Sequence, residues 1–175
     1  MTGVANDIKL IRYGAGDGDQ PTAAPIGNAQ QLYSGTVALV SGSGSVTAGY
    51  LKNAASPGSA DLVVGMVGDA TGGAFSTGPG LPKPTADGSV WAEVLTGAFF
   101  FQSGTGADQL SVTTNYKTVY YGGENANGPI AMATSQSSTL PVLGVQVPQD
   151  PGIAGGFSPG SGYWPVIVRP DLGRP

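Results

Sequence analysis

From Ser34 onward the chain repeats one local pattern, a short run rich in Val, Leu, Tyr or Phe followed by a cluster of Gly, Ser, Pro or Asn. Thr36-Val37-Ala38-Leu39-Val40 stops at Ser41-Gly42-Ser43-Gly44-Ser45 and resumes at Val46-Thr47-Ala48-Gly49-Tyr50-Leu51, which predicts a hairpin. Residues 62–67 follow with Gly65 inside them, and a glycine within a strand marks a bulge or a close backbone approach. Residues 90–101, 118–121, 130–133, 142–147 and 163–168 continue the series, with a turn expected at 122–128 and one helical turn at 105–110. No segment carries a strong helical period. The pattern predicts an all-β fold, a small β-barrel or β-sandwich of about eight short strands.

The punctuation is dense enough to raise the question of disorder. Gly 30 and Pro 14 make up about a quarter of 175 residues, near the range where unpatterned chains lose structure. Yet Leu, Ile, Val and Phe together stay above the roughly 20% floor for disordered sequences, and the net charge is only −4. The turn formers are instead concentrated. Residues 1–33 have little to bury and read as an extended N-terminal arm, which cannot offset the ~1–2 kcal/mol per residue of backbone ordering by packing on itself. Residues 34–175 read as one β-rich domain, interrupted by two long Gly/Pro loops at 69–89 and 148–162. Loops of that length are usually functional or disordered.

The most apolar element is Val90-Trp91-Ala92-Glu93-Val94-Leu95-Thr96-Gly97-Ala98-Phe99-Phe100-Phe101. Alternation puts Val90, Ala92, Val94, Ala98 and Phe100 on one face and Trp91, Glu93, Leu95, Phe99 and Phe101 on the other. Both faces are apolar, whereas a strand with one core to face reads apolar-in and polar-out. Two explanations are open. Either a bulge at Gly97 exchanges the faces midway, or Trp91, Leu95, Phe99 and Phe101 meet a second molecule.

Residue types restrict the chemistry. The chain has no Cys and no His, which removes thiolate sites, disulfides, the commonest general base and the Ser-His and Cys-His nucleophilic arrangements. Asp17-Gly18-Asp19 lacks the spacing and terminal Glu of a calcium loop and reads as a solvated turn. Gly42-Ser43-Gly44 and Gly104-Thr105-Gly106 open no helix and precede no P-loop Lys, so they read as hairpin turns. Glu93 and Glu124 are the only glutamates, and a glycosidase would need two acids across a sugar groove. They read more simply as solubility residues. Tyr50, Tyr116, Tyr120, Tyr121, Tyr163 and Trp164 could stack on sugars or bases, but aromatics in β-rich chains are usually core or cross-strand partners. Neither an enzyme nor a cofactor protein is indicated. Seven scattered Lys and Arg in an acidic chain give no footprint for nucleic acid. The absence of a signal-like N-terminus and of any apolar run near ~18 residues predicts a soluble cytoplasmic product with no membrane partner.

The ordered series Gly35-Thr36-Val37-Ala38-Leu39-Val40, Val63-Val64-Gly65-Met66-Val67, Val94 to Phe101 leading into Ser103-Gly104-Thr105-Gly106-Ala107-Asp108, Lys117-Thr118-Val119-Tyr120-Tyr121, Leu143-Gly144-Val145 and Val166-Ile167-Val168 resembles the capsid decoration, or cement, proteins of tailed bacteriophages. The resemblance covers roughly residues 34–168. The 69–89 and 148–162 loops and the N-terminal arm are longer than that family's pattern. The resemblance implies a β-barrel or β-sandwich, made in the host cytoplasm, that binds the major capsid protein on the outer surface of the virion and stabilises the shell as a homotrimer. An acidic surface suits the outside of a DNA-filled shell. Under this reading Ile8, Leu10, Ile11 and Tyr13 are the apolar residues of a capsid-binding arm, and Trp91, Leu95, Phe99 and Phe101 are the candidate trimer interface. The rival expectation is a head-fibre or tail-associated host-recognition module, whose long loops would present Phe75, Phe157, Tyr163 and Trp164 to host carbohydrates.

Overall fold

Ten strands occupy the runs between the glycine clusters in the computed structural model, which describes residues 22–70, 80–125, 128–135, 139–149 and 162–168. The first five, β1 (Thr22–Pro25), β2 (Val37–Val40), β3 (Leu51–Lys52), β4 (Leu62–Ala70) and β5 (Trp91–Leu95), form an antiparallel sheet in the order β1-β5-β4-β2-β3. The others are β6 (Gly97–Ser103), β7 (Thr118–Asn125), β8 (Gly128–Met132), β9 (Val142–Gln146) and β10 (Tyr163–Val168). They close into a barrel in the order β10-β6-β8-β7-β9, completed by the pairing of β9 with β10. Only β6 and β8 run parallel within it. The fold is all-β, and the barrel is accompanied by a second sheet.

Alternation along the sheet strands supplies two cores. Val37 and Leu39 of β2, with Val63 and Met66 of β4, join the barrel residues Phe99, Phe101, Val119, Tyr121, Leu143 and Val166 in one buried cluster. Ala38, Val67, Ala92 and Val94 point the other way, where Ile26, Leu32 and Leu81 from the connecting segments cover them. Val63 and Met66 are three positions apart and would face oppositely in a regular strand. The register between β2 and β4 shifts at Ala38/Leu39, opposite the segment that contains Gly65, and brings them to one side. A Cβ on Gly65 would stand 2.5 Å from the Leu95 carbonyl oxygen, so the close approach expected there is present.

The long apolar run is resolved by Gly97. Its φ of +128° is a conformation that side chains disfavour, and the chain leaves the sheet there to enter the barrel. Before it the even positions Ala92 and Val94 are buried in the second core, and after it the odd positions Phe99 and Phe101 are buried in the first. The expected common outward face of Trp91, Leu95, Phe99 and Phe101 is therefore corrected. Phe99 and Phe101 are 2% and 0% exposed within one chain and have no surface to offer another. Leu95 packs on the barrel core, and Trp91 alone of the four is exposed.

Three other expectations change. The arm was expected to run to residue 33, but β1 pairs with β5 at all four of its positions and Ile26 and Leu32 are buried. Those two side chains find the apolar partners that a self-packed arm would lack, so the ordered fold begins by residue 22. Ile8, Leu10, Ile11 and Tyr13 lie outside the described residues, as do Asp17 and Asp19. The hairpin after Val40 keeps only Leu51–Lys52 as its return strand, because residues 46–50 turn back toward Ser41. The turn expected at 122–128 is displaced as well: β7 continues through Gly122 and Gly123 to Asn125, with a register shift between Tyr121 and Glu124. The helical turn expected at 105–110 is present as a 3₁₀ turn, Gly106–Asp108. It is followed by Leu110, whose buried side chain joins the barrel core and whose N–H donates to Ser103 Oγ at 2.7 Å.

Candidate docking surface

The three large apolar side chains that stand exposed among the described residues are Trp91, Val112 and Tyr116. Trp91 begins β5 opposite Pro25 of β1, and its indole N–H donates to the Gly88 carbonyl at 3.0 Å, which fixes the ring. Val112 and Tyr116 lie on one short segment between β6 and β7. They are 72% and 75% exposed.

That segment is built from polar groups. Ser111 and Thr114 form a reciprocal capping box around the 3₁₀ turn Val112–Thr114: the Ser111 hydroxyl accepts from Thr113 N, and Thr114 Oγ1 accepts from Ser111 N at 2.8 Å. Beneath the turn lies Gln146 of β9, fully buried. Its Oε1 accepts from Thr114 Oγ1 at 2.6 Å, and its Nε2 donates to Ser111 O and Asn115 Oδ1, both at 2.8 Å. The backbone adds Tyr116 N to Gln146 O at 2.8 Å and Gln146 N to Lys117 O at 3.1 Å. A buried amide with its bonds satisfied fixes geometry because every alternative strands a polar group.

Tyr116 has a φ of +63°, uncommon for a bulky residue. Such a backbone persists only where its surroundings over-determine it. The Gln146 network supplies that constraint, and the result is an exposed Val and Tyr held on a rigid tip. Ser111-x-x-Thr114 was the readable signal for this turn. Gln146, a polar residue at an inward position of β9, was the other.

Glu124 is also misplaced by the sequence reading. Its carboxyl is not on a solvated turn but between the barrel and the sheet, beside the Tyr121 hydroxyl and the Val37 N–H. Oε1 is buried without a hydrogen-bond partner among the described residues. Burial pushes its pKa up to about 7, with the contacts to Tyr121 and Val37 opposing only in part. Burial, together with the Glu124 charge, also raises the Tyr121 hydroxyl well above its ordinary value. Glu93 stands on β5 of the other sheet. The two glutamates are thus on separate strands of separate sheets.

Of the aromatic residues considered for carbohydrate recognition, Phe75 and Phe157 lie outside the described residues. Trp164 packs against the barrel core, and Tyr163 is half-buried on β10. Among the described residues no three carboxylates gather as a metal site would require, and no helix is long and apolar enough to cross a membrane. No family model, curated protein or solved structure matches this chain.

Proposed function

We propose that this chain is a structural protein that docks on the outer surface of an assembled phage capsid and stabilises it, as a trimer. The observation that carries the reading is the Val112 and Tyr116 tip, two exposed apolar side chains on a backbone fixed by buried Gln146. Rigid display lowers the entropy lost on docking, and aromatic side chains are favoured as anchors in protein interfaces. A small acidic all-β scaffold with few charges is compatible with a surface that neighbouring subunits cover. Trp91, exposed at the start of β5, is the residue we assign to contact between copies.

The test is association with particles. Particles purified from a lysate in which the chain is expressed should carry it in a copy number comparable to that of the major shell protein, counted by quantitative mass spectrometry. A Val112→Ser/Tyr116→Ser variant should fold normally and be lost from those particles. Absence of the wild-type chain from particles, or its presence in a few copies only, would overturn the reading. Sedimentation velocity addresses the trimer separately: Trp91→Ser should weaken it, and a wild-type monomer would remove that part of the proposal.

A further inference from the structure

A cleft of about 380 Å³ lies on the five-stranded sheet's side of the molecule, between the turn that follows β2 and the segment that follows β3. Its walls come from Ser41, Ser43, Ser45, Lys52, Asn53 and Ser56, with Val46 and Ala55 as small apolar surfaces. Its size falls in the usual range for small-ligand sites, roughly 300–1,000 Å³. Those sites are mostly apolar, and this one is not.

The walls are fixed from behind. Asp61, whose side chain is 3% exposed, accepts from Lys52 Nζ at 2.8 Å, Gly58 N at 2.7 Å and Gly42 N at 3.2 Å. Gly42 lies so close to the next segment that a Cβ there would stand 1.7 Å from the Ala60 carbonyl oxygen. Ser41 Oγ donates to Val46 O at 3.0 Å, which folds the turn. Asn53 donates through Nδ2 to Gln31 O and accepts through Oδ1 from Ala55 N, both at 2.9 Å. The groups that shape the cleft are therefore committed to the fold.

What remains for a ligand is specific. The hydroxyls of Ser43, Ser45 and Ser56 make no hydrogen bond among the described residues, and each both donates and accepts. Lys52 gives two of its three donors to Asp61 and to Ser56 O at 3.4 Å, and its charge is matched by the buried carboxylate. The cleft offers no net charge to an anion. It offers exposed, rotatable hydroxyls on its two walls and a small apolar patch at Val46 and Ala55, which complement the hydroxyls and C–H face of a sugar ring.

We propose that this cleft binds a neutral saccharide, independently of the docking reading above. The experiment is a titration of the full chain, followed by amide chemical shifts, with glucose, galactose, mannose and N-acetylglucosamine, then with neutral oligosaccharides built from them. Inorganic phosphate serves as the anion control. Saturable shifts at residues 43–46 and 53–56 with at least one neutral sugar are expected. Shifts with single sugars indicate a free-sugar ligand, and shifts with oligosaccharides alone indicate a surface glycan; both support the proposal. A Ser43→Ala/Ser45→Ala/Ser56→Ala variant, which removes no bond that holds the fold, should weaken binding about tenfold or more. No saturable shift with any neutral sugar, shifts from phosphate alone, or equal affinity in the variant would each overturn it.

Discussion

The Tyr121 hydroxyl donates to the Ala54 carbonyl at 2.8 Å, joining the barrel interior to the segment that follows β3 across 67 positions of sequence. Both residues are buried, Tyr121 at 0% and Ala54 at 3% exposure. The bond is one of the links that hold the sheet on the barrel, and its donor is a side-chain group that a substitution can remove. Tyr121→Phe keeps the ring and deletes the donor, leaving the Ala54 carbonyl without its partner. A loss of about 1–3 kcal/mol is expected, read from urea unfolding with an unchanged slope. An unaltered midpoint would show that the bond contributes nothing net.

Glu124 predicts a pH dependence of definite sign. Its folded pKa is raised from 4.5 to about 7, so between those values the folded chain holds a proton that the unfolded chain has released. Stability from this group is fully present below about pH 4.5 and is lost as pH rises through about 7. At about 1.4 kcal/mol per pKa unit the whole change is on the order of 3 kcal/mol. The neutral carboxyl can donate to the Tyr121 oxygen while Tyr121 donates to Ala54, whereas the carboxylate competes with Ala54 for the same hydrogen. Melting temperature should therefore fall from pH 5 to pH 8 in the wild type. Glu124→Gln should flatten that trend; a wild-type slope retained in the variant would assign it to another group.

The strand runs and Gly65 were legible in the sequence because apolar alternation and glycine punctuation are local signals. The face exchange at Gly97 was legible only as one of two alternatives. Period-2 reasoning assigns faces within a strand, and it cannot tell a second core of the same chain from a second molecule. Ile26 and Leu32 were missed for a related reason: each looks isolated in a Gly/Pro-rich segment, and its partners, Leu51, Leu81 and Ala92 among them, come from distant parts of the chain. Glu124 was misread because Gly122-Gly123 looks like a turn, whereas in β7 it accommodates a register shift. The serine cleft could not be read at all, since its walls meet only when β2 and β3 pair.

The Gln146 network should separate local from global stability. Gln146→Leu preserves much of the volume but deletes three hydrogen bonds beneath the turn: Asn115 Oδ1 is left without its partner, while Ser111 O and Thr114 Oγ1 keep their bonds within the capping box. A cost of about 1–3 kcal/mol is expected from the lost bonds and the unpaired Asn115 oxygen. Hydrogen exchange should rise first at residues 111–117, where Tyr116 loses the scaffold for its positive φ, while β2 and β4 remain protected. Uniform loss of protection over both sheets would mean that Gln146 supports the whole barrel rather than the tip.

Barrel closure supplies the sharpest steric prediction. β9 and β10 pair through Val145 with Ile167 and Gln146 with Val166, and Gly144 lies directly before that contact. A Cβ on Gly144 would stand 1.9 Å from the Ile167 carbonyl oxygen and 2.9 Å from its carbon. Backbone cannot swing aside as a side chain can, so Gly144→Ala must push β10 away from β9 or shift β9 within the barrel. The methyl group gains some burial, but overpacking of even flexible neighbours costs roughly 1–3 kcal/mol, and a rigid backbone contact at the closing seam should exceed that. Gly144→Ala is expected to lower the melting temperature more than any other single change considered above, or to give insoluble protein. Val112→Ala, on the exposed tip, should stay within about 0.5 kcal/mol of the wild type as the matched surface control. A Gly144→Ala protein as stable as Val112→Ala would show that the seam between β9 and β10 is not as tight as the carbonyl position of Ile167 requires.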